Sequence, residues 1–317
     1  MKIVVWAENA PRLAEKLAAL PLPTGAELVA AVSEADALSH APTADVLVAW
    51  GGSYAAPFAS AAPRLRLVQS LGSGVEGILT PAFIGSPVPL ANARGCNAPN
   101  MAEHTLALIL ALSRSLHAAV RNQQQQLWDM KSTRGGEIAG LTLGILGFGA
   151  IGQETARRAR ALGMRIAAVS RPGKPKPPEV DELVAGVGEL AAVSDYFDVV
   201  VPLTRETTGL VGATELARMK PTAYLINVAR GAVVDEPALI QALQEGRIAG
   251  AGLDVTVQEP LPAESPLWSL PNVLLTPHVA GGSPRVMDRV LDLVAENLVR
   301  LADGQPLLNL VDKRRGY

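Results

Sequence analysis

One short stretch limits the folds open to this chain more than any other: Gly147-Phe148-Gly149-Ala150-Ile151-Gly152, a G-x-G-x-x-G. Glycine-rich turns are common, so the spacing alone says little. The setting decides. An apolar run at 143–146 precedes it and a helical pattern at 153–162 follows. Strand, glycine turn and helix in that order build a dinucleotide-phosphate site. Gly147 permits the tight turn, Gly149 lets backbone approach a pyrophosphate, and Gly152 allows close helix–strand packing. The helix N-terminus then offers unpaired N–H groups to phosphate. Phe148, Ala150 and Ile151 complete the loop and are assigned to the cofactor with it.

The same strand–helix rhythm runs on both sides of the loop. Strands are predicted at 142–146, 165–169, 199–201, 223–227, 252–255 and 273–275, with helices between them. That pattern is a six-stranded, Rossmann-type doubly wound parallel sheet. Before it, 1–6, 46–50 and 67–70 read as strands and 11–20 as a helix, a second and smaller parallel α/β sheet of flavodoxin-like type. A helical pattern runs from Met101 to about Gln123, with Asn100 as its cap and Glu103 three residues on. Between Thr105 and Leu112 it is apolar on almost every face. Two readings stay open for it: an interdomain or subunit-contact helix, or a core helix of one domain. A last helix is predicted at 284–303.

Composition excludes several classes. The 317 residues carry 28 basic and 30 acidic side chains, a net charge of -2. With no run of five like charges, bulk charge offers no nucleic-acid or anionic-membrane surface. One cysteine, Cys96, leaves no internal disulfide or multi-cysteine zinc site and suits a reducing compartment. No metal site is expected. No signal peptide or bilayer-length apolar run stands out. The expectation is a cytoplasmic, two-domain protein.

The second predicted strand of the larger sheet ends in Ser170-Arg171-Pro172, with Lys174 and Lys176 beyond. An acidic residue there would bind the ribose hydroxyls of NAD. A hydroxyl and a guanidinium suit a 2′-phosphate instead. Ser170 and Arg171 therefore predict NADP(H), with NAD(H) as the alternative. Downstream, Arg230 follows a buried strand in Asn227-Val228-Ala229-Arg230-Gly231. Asp254 leads towards Glu259-Pro260, and His278 follows the last strand in Thr276-Pro277-His278. Strand C-terminal ends are where ligands bind in such sheets. Hydride transfer to a 2-keto acid needs a cation to hold the substrate carboxylate, a proton donor beside the carbonyl oxygen and a reduced nicotinamide against the carbonyl carbon.

These segments carry a resemblance. The 147–152 loop, Pro202-Leu203-Thr204 with Thr207, NVARGAVVD at 227–235, GLDVTVQEPLPAESPLW at 252–268 and TPHVAG at 276–281 resemble the D-isomer-specific 2-hydroxyacid dehydrogenases. With 92–114 they cover most of residues 65–290. The resemblance implies that Arg230 binds the substrate carboxylate and carbonyl. It makes His278 the acid in reduction and the base in oxidation, with Glu259 hydrogen-bonded to it. It also implies that Asp254 holds the nicotinamide carboxamide. Pro202, Thr207, Val228, Ala229 and Gly281 would line the cofactor. The backbone of Gly72, Ser73, Gly74 and Val75 would face the substrate carboxylate.

The 71–79 segment, the terminus at 311–317 and the Ser170-Arg171 pair resemble the bacterial glyoxylate/hydroxypyruvate reductase subgroup. That implies NADPH and a small polar 2-keto acid. Alternatives are a dehydrogenase for a bulkier D-2-hydroxyacid, or a dinucleotide-sensing binding protein such as the corepressors of the family. Formate oxidation is disfavoured, because a glutamine stands in that relative where this chain has Glu259. Trp50 and Trp128 could wall a small pocket, Trp128 from a neighbouring subunit, although packing is the plainer role for both. Residues 1–98 with 285–317 are expected to form the substrate domain and 99–284 the dinucleotide-binding domain. Closure between them would exclude water. A homodimer is expected from the long apolar helix.

Overall fold

Parallel strands that bury both faces need helices on either side, and this chain builds two such sheets. The computed structural model describes every residue except Gly51, Ser53, Arg171, Pro172, Lys174 and Tyr317. It divides into two units: Met1–Asn97 with Ser283–Tyr317, and Ala98–Gly282.

The first unit holds β1 (Lys2–Trp6), β2 (Glu27–Ala31), β3 (Val46–Ala49), β4 (Leu67–Ser70) and β5 (Leu90–Ala91). They form a five-stranded sheet in the order β2-β1-β3-β4-β5, every pairing parallel. This is the flavodoxin-like order. β3 and β4 are buried along their whole length. One face packs Phe58, Ile78 and Phe83 against Leu47 and Val68. The other packs Val290, Leu291, Val294 and Leu298 of helix Val286–Ala302 against Val46, Val48 and Leu67. A buried amide pair fixes that helix: Asn297 Nδ2 donates to Gln69 Oε1 at 2.8 Å. Asn297 Oδ1 accepts from Leu308 N, which ties in the C-terminal segment. Lys313 then donates to the carbonyls of Phe83, Ser86 and Val88.

The second unit holds β6 (Thr142–Leu146), β7 (Arg165–Val169), β8 (Glu182–Val184), β9 (Tyr196–Val199), β10 (Tyr224–Asn227), β11 (Gly250–Leu253) and β12 (Val273–Leu275). The sheet order is β12-β11-β10-β9-β6-β7-β8, again wholly parallel. It therefore has seven strands, not six. The added edge strand, β8, is three residues long, too short to show a pattern. β9 begins three residues earlier than expected and includes the wholly buried Asp198, a residue type that argues against a strand interior.

The long helix is also corrected. It runs Ala98–Ser113, breaks at Ser115 (φ +51) and resumes as Leu116–Gln124. Gly135 crosses the break so closely that a Cβ there would lie 2.6 Å from Arg114 Cα. Gly136 N donates to the Ser113 carbonyl at 2.7 Å. Asn100 lies inside the first turn rather than capping it. The apolar face of Ala98–Ser113, with Leu106, Leu108, Ile109 and Leu112, packs into the core with Leu143, Ile145 and Ile226. It is a core helix of this unit. Apolar exposure falls instead on Leu116, Val120, Leu127, Trp128 and Met130. Among the described residues no helix is long and apolar enough to cross a membrane.

Candidate active site

The glycine loop sits at the C-terminal end of β6. Gly147 has φ +113, and a Cβ on it would lie 2.8 Å from the Val200 carbonyl carbon. Gly152 is as tightly held: a Cβ there would lie 2.4 Å from Gly147 O and 3.0 Å from Ile145 Cγ2. Gly149 caps the twelve-residue helix Ala150–Ala161, and among the described residues a Cβ on it meets nothing within 4 Å. Two of the glycines thus shape the turn, while the third leaves open space above the helix N-terminus. That cradle fits a nucleotide pyrophosphate. Phe148 turns its side chain into the core, Ile151 is half-buried and Ala150 is exposed.

Ser170 is exposed just beyond β7, its N–H bonded to Val184 O at 2.8 Å. Arg171, the other half of the 2′-phosphate expectation, lies outside the described residues. Thr207 Oγ1 donates to Pro202 O and accepts from Thr204 N, both at 2.7 Å. Its hydroxyl holds the 202–208 turn together. Val228 is buried and Ala229 half-buried at the end of β10.

Asn227, the buried last residue of β10, folds the next turn. Its Oδ1 accepts from Ala229 N and its Nδ2 donates to Arg230 O, both at 3.0 Å. Arg230 Nη1 donates to Ala229 O at 2.8 Å. Gly231 lies against the segment after β11: a Cβ on it would be 2.0 Å from the Thr256 carbonyl carbon. Only glycine lets these two chain segments touch. Thr256 N in turn donates to Glu259 Oε1 at 3.1 Å. Glu259 Oε2 lies 2.6 Å from His278 Nδ1. Glu259 and His278 are therefore in direct contact, and Arg230 is joined to them through the Gly231–Thr256 approach.

Asp254, the other of the site carboxylates, organises the loop that follows β12. It is 2% exposed. Its Oδ1 accepts from Thr276 Oγ1 at 2.6 Å and Val279 N at 3.0 Å, and its Oδ2 from Ala280 N at 2.9 Å. The carboxylate thus pins residues 276–280, while Asp254 O accepts from His278 N at 2.8 Å. His278 itself has φ +53, a conformation that non-glycine residues hold only when their surroundings fix it. Asn227, Thr276 and His104 are contributors that local pattern did not single out. His104 stands 172 positions from its partner Thr276, so no spacing rule connects them. Gly281 is half-buried at the end of this loop.

In the other unit, Gly72 N donates to Ser70 Oγ at 3.1 Å, so that N–H is already engaged rather than offered to a ligand. Ser73 Oγ donates to Ala93 O at 3.1 Å, and Asn92 Nδ2 to Ser73 O at 2.8 Å. Val75 is buried, Gly74 half-buried and Trp50 exposed.

A doubly wound sheet with this phosphate cradle, and an imidazole–carboxylate pair past its last strands, defines an NAD(P)-binding oxidoreductase domain. Residues 106–280 match the family described as D-isomer specific 2-hydroxyacid dehydrogenase, NAD binding domain. The chain belongs to the D-isomer specific 2-hydroxyacid dehydrogenase family.

Among its relatives is the glyoxylate reductase of Thermococcus gammatolerans, 40% identical over 262 residues, 80% of this chain and 78% of that protein. The D-3-phosphoglycerate dehydrogenase of Archaeoglobus fulgidus is 36% identical over 253 residues. That match takes in 80% of this chain but only 48% of the archaeal enzyme. Among solved structures, a D-isomer specific 2-hydroxyacid dehydrogenase family protein from Aeromonas salmonicida superposes with a TM-score of 0.86 at 33% identity, covering 98% and 99% of the two chains. The NADPH-dependent glyoxylate/hydroxypyruvate reductase of Sinorhizobium meliloti, in complex with NADP and sulfate, gives 0.83 at 30% identity, covering 100% and 99%.

Proposed function

We propose that this protein reduces a small 2-keto acid, glyoxylate or hydroxypyruvate, to the 2-hydroxyacid with NADPH. The observation that carries the proposal is the 2.6 Å contact between His278 Nδ1 and Glu259 Oε2, in a family of 2-hydroxyacid dehydrogenases. A carboxylate on one ring nitrogen fixes the tautomer and leaves the other nitrogen for proton transfer.

The cofactor is assigned to the unit Ala98–Gly282, at the Gly147–Gly149–Gly152 cradle. When bound, a reduced nicotinamide supplies a hydride to the substrate carbonyl carbon. The remaining work falls to the chain. The Arg230 guanidinium holds the substrate carboxylate and polarises the carbonyl, a task its planar fork suits. His278 Nε2 gives the carbonyl oxygen its proton, and in the reverse direction takes it back. Glu259 holds the ring in register through its contact with Nδ1. The loop around Asp254 keeps His278 in its left-handed backbone conformation.

NADPH is favoured over NADH because Ser170, not a carboxylate, stands exposed beyond β7. Solved relatives from Xanthobacter autotrophicus and Sinorhizobium meliloti hold NADPH and NADP. The several D-3-phosphoglycerate dehydrogenases among the relatives favour a second reading, a dehydrogenase for a bulkier D-2-hydroxyacid. A panel of 2-keto acids assayed with NADPH and NADH separates the two readings. We also propose a homodimer formed through the segment that exposes Leu116, Val120, Leu127, Trp128 and Met130, because large exposed apolar side chains gathered in one segment mark an interface.

A further inference from the structure

Helix Ala98–Ser113 grips the His278 loop at two points one turn apart. Asn100 Nδ2 donates to Ala280 O at 2.7 Å, and His104 Nε2 lies 2.9 Å from Thr276 Oγ1. Residues four apart share one helix face. Thr276 and Ala280 flank His278 at equal distance along the chain, so one helix face holds both shoulders of the histidine.

The hydrogen bonds show which group donates. The Asp254 carboxylate already takes two backbone N–H groups, from Val279 and Ala280. It also lies 2.6 Å from Thr276 Oγ1. A threonine hydroxyl has one proton and a carboxylate only accepts, so that proton points at Asp254. The hydroxyl must then accept from His104, whose Nε2 carries a hydrogen. His104 Nε2 also lies 3.5 Å from Asp254 Oδ1. The ring is thus the outermost donor of a chain running His104, Thr276, Asp254 and back to the loop that bears His278.

We infer that His104 and Asn100 are positioning residues for His278, His104 through Thr276 and Asp254, Asn100 through Ala280. This rests on the reading of His278 as the proton donor. Neither residue touches the substrate in that role. They hold the backbone from which the imidazole projects, at a residue whose positive φ would otherwise relax. A general acid works only within hydrogen-bond reach of the oxygen it protonates. A misplacement of about 1 Å costs on the order of a hundredfold in rate.

The test compares His104→Phe, His104→Gln, Thr276→Val and the double variant His104→Phe/Thr276→Val in the full-length protein. kcat for 2-keto acid reduction and the dissociation constant for NADPH are both measured. His104→Phe keeps the ring volume but removes the donor, and should lower kcat about tenfold or more, with NADPH affinity changed by less than about threefold. His104→Gln restores a donor and should recover to within about threefold of the wild type. Because both side chains act along one path, the double variant should lose no more than the worse single variant. Three results overturn the inference: His104→Phe within about twofold of wild-type kcat, His104→Gln no better than His104→Phe, or losses that multiply in the double variant. His278→Ala in the same assay keeps the two claims apart. Full activity there removes the role of His278 itself. Loss there, with His104→Phe fully active, removes only the positioning role.

Discussion

Glu259 Oε2 and His278 Nδ1 stand 2.6 Å apart across 19 positions of sequence. The other Glu259 oxygen is held by Thr256 N, so the carboxylate is fixed from both sides before any ligand arrives. Glu259→Gln keeps the shape but replaces the carboxylate oxygen that receives the ring N–H and fixes its tautomer. It should lower kcat by about tenfold to a thousandfold, within the range that general acid–base catalysis contributes. Steady-state kinetics with glyoxylate or hydroxypyruvate read the effect directly.

Arg230→Lys retains a positive charge but not the fork. Bidentate carboxylate recognition should fail, and kcat/KM should fall by a factor of about ten to a hundred, the value of one charge-assisted bond. Unchanged kcat/KM would take Arg230 out of substrate binding.

The glycine loop yields opposite outcomes at two neighbouring positions. Gly149→Ala has room for its methyl group and should leave the melting temperature within a few degrees. The methyl group occupies the space where a pyrophosphate meets the backbone, so NADPH affinity should drop by about tenfold or more. Gly147→Ala faces φ +113 and the Val200 carbonyl at 2.8 Å. It should destabilise the fold itself by about 1–3 kcal/mol. Thermal melts with and without NADPH distinguish the two.

Asp198 gives a pH signature. It is 0% exposed, its carboxyl is pushed up to about 8 by burial, and neither buried oxygen has a hydrogen-bond partner among the described residues. The folded protein therefore keeps this proton where the unfolded chain loses it, above about pH 4. The group's stabilising contribution is full below that pH and is lost as pH rises towards 8. In that window the slope is a loss of about 1.4 kcal/mol per pH unit from this one group. Asp198→Asn should flatten the denaturation free energy between pH 5 and 8 relative to wild type, as read by urea titrations at each pH. An identical slope in the variant would assign the dependence elsewhere.

Trp128 is 91% exposed, which for a tryptophan on a lone subunit is costly surface. Trp128→Glu should shift sedimentation from dimer to monomer. A wild-type protein already monomeric at micromolar concentration would remove the proposed interface.

Local chemistry was readable from the chain; long-range chemistry was not. Gly147, Gly149 and Gly152 lie within six residues, so their spacing already described a tight strand–helix turn. Arg230, Glu259 and His278 follow three separate strands, so no local pattern joins them, and the Glu259–His278 contact shows only in the fold. Ser115 gives no local sign of the helix break, and Gly135, which packs against it, arrives from twenty residues further on. β8 was missed because three residues cannot display a period, and β9 was misplaced because Asp198 looks like a loop residue. The partner of His104 lies across the fold, so that histidine looked no different from His40 or His117.

The most direct measurement is the oxidation rate of NADPH, followed by its near-ultraviolet absorbance, when glyoxylate or hydroxypyruvate is added to the wild type and to His278→Ala. Rapid NADPH consumption by the wild type, slowed on the order of a hundredfold or more in the variant, is the expected result. Equal rates in the two proteins, or no turnover by the wild type with either acid, would contradict it.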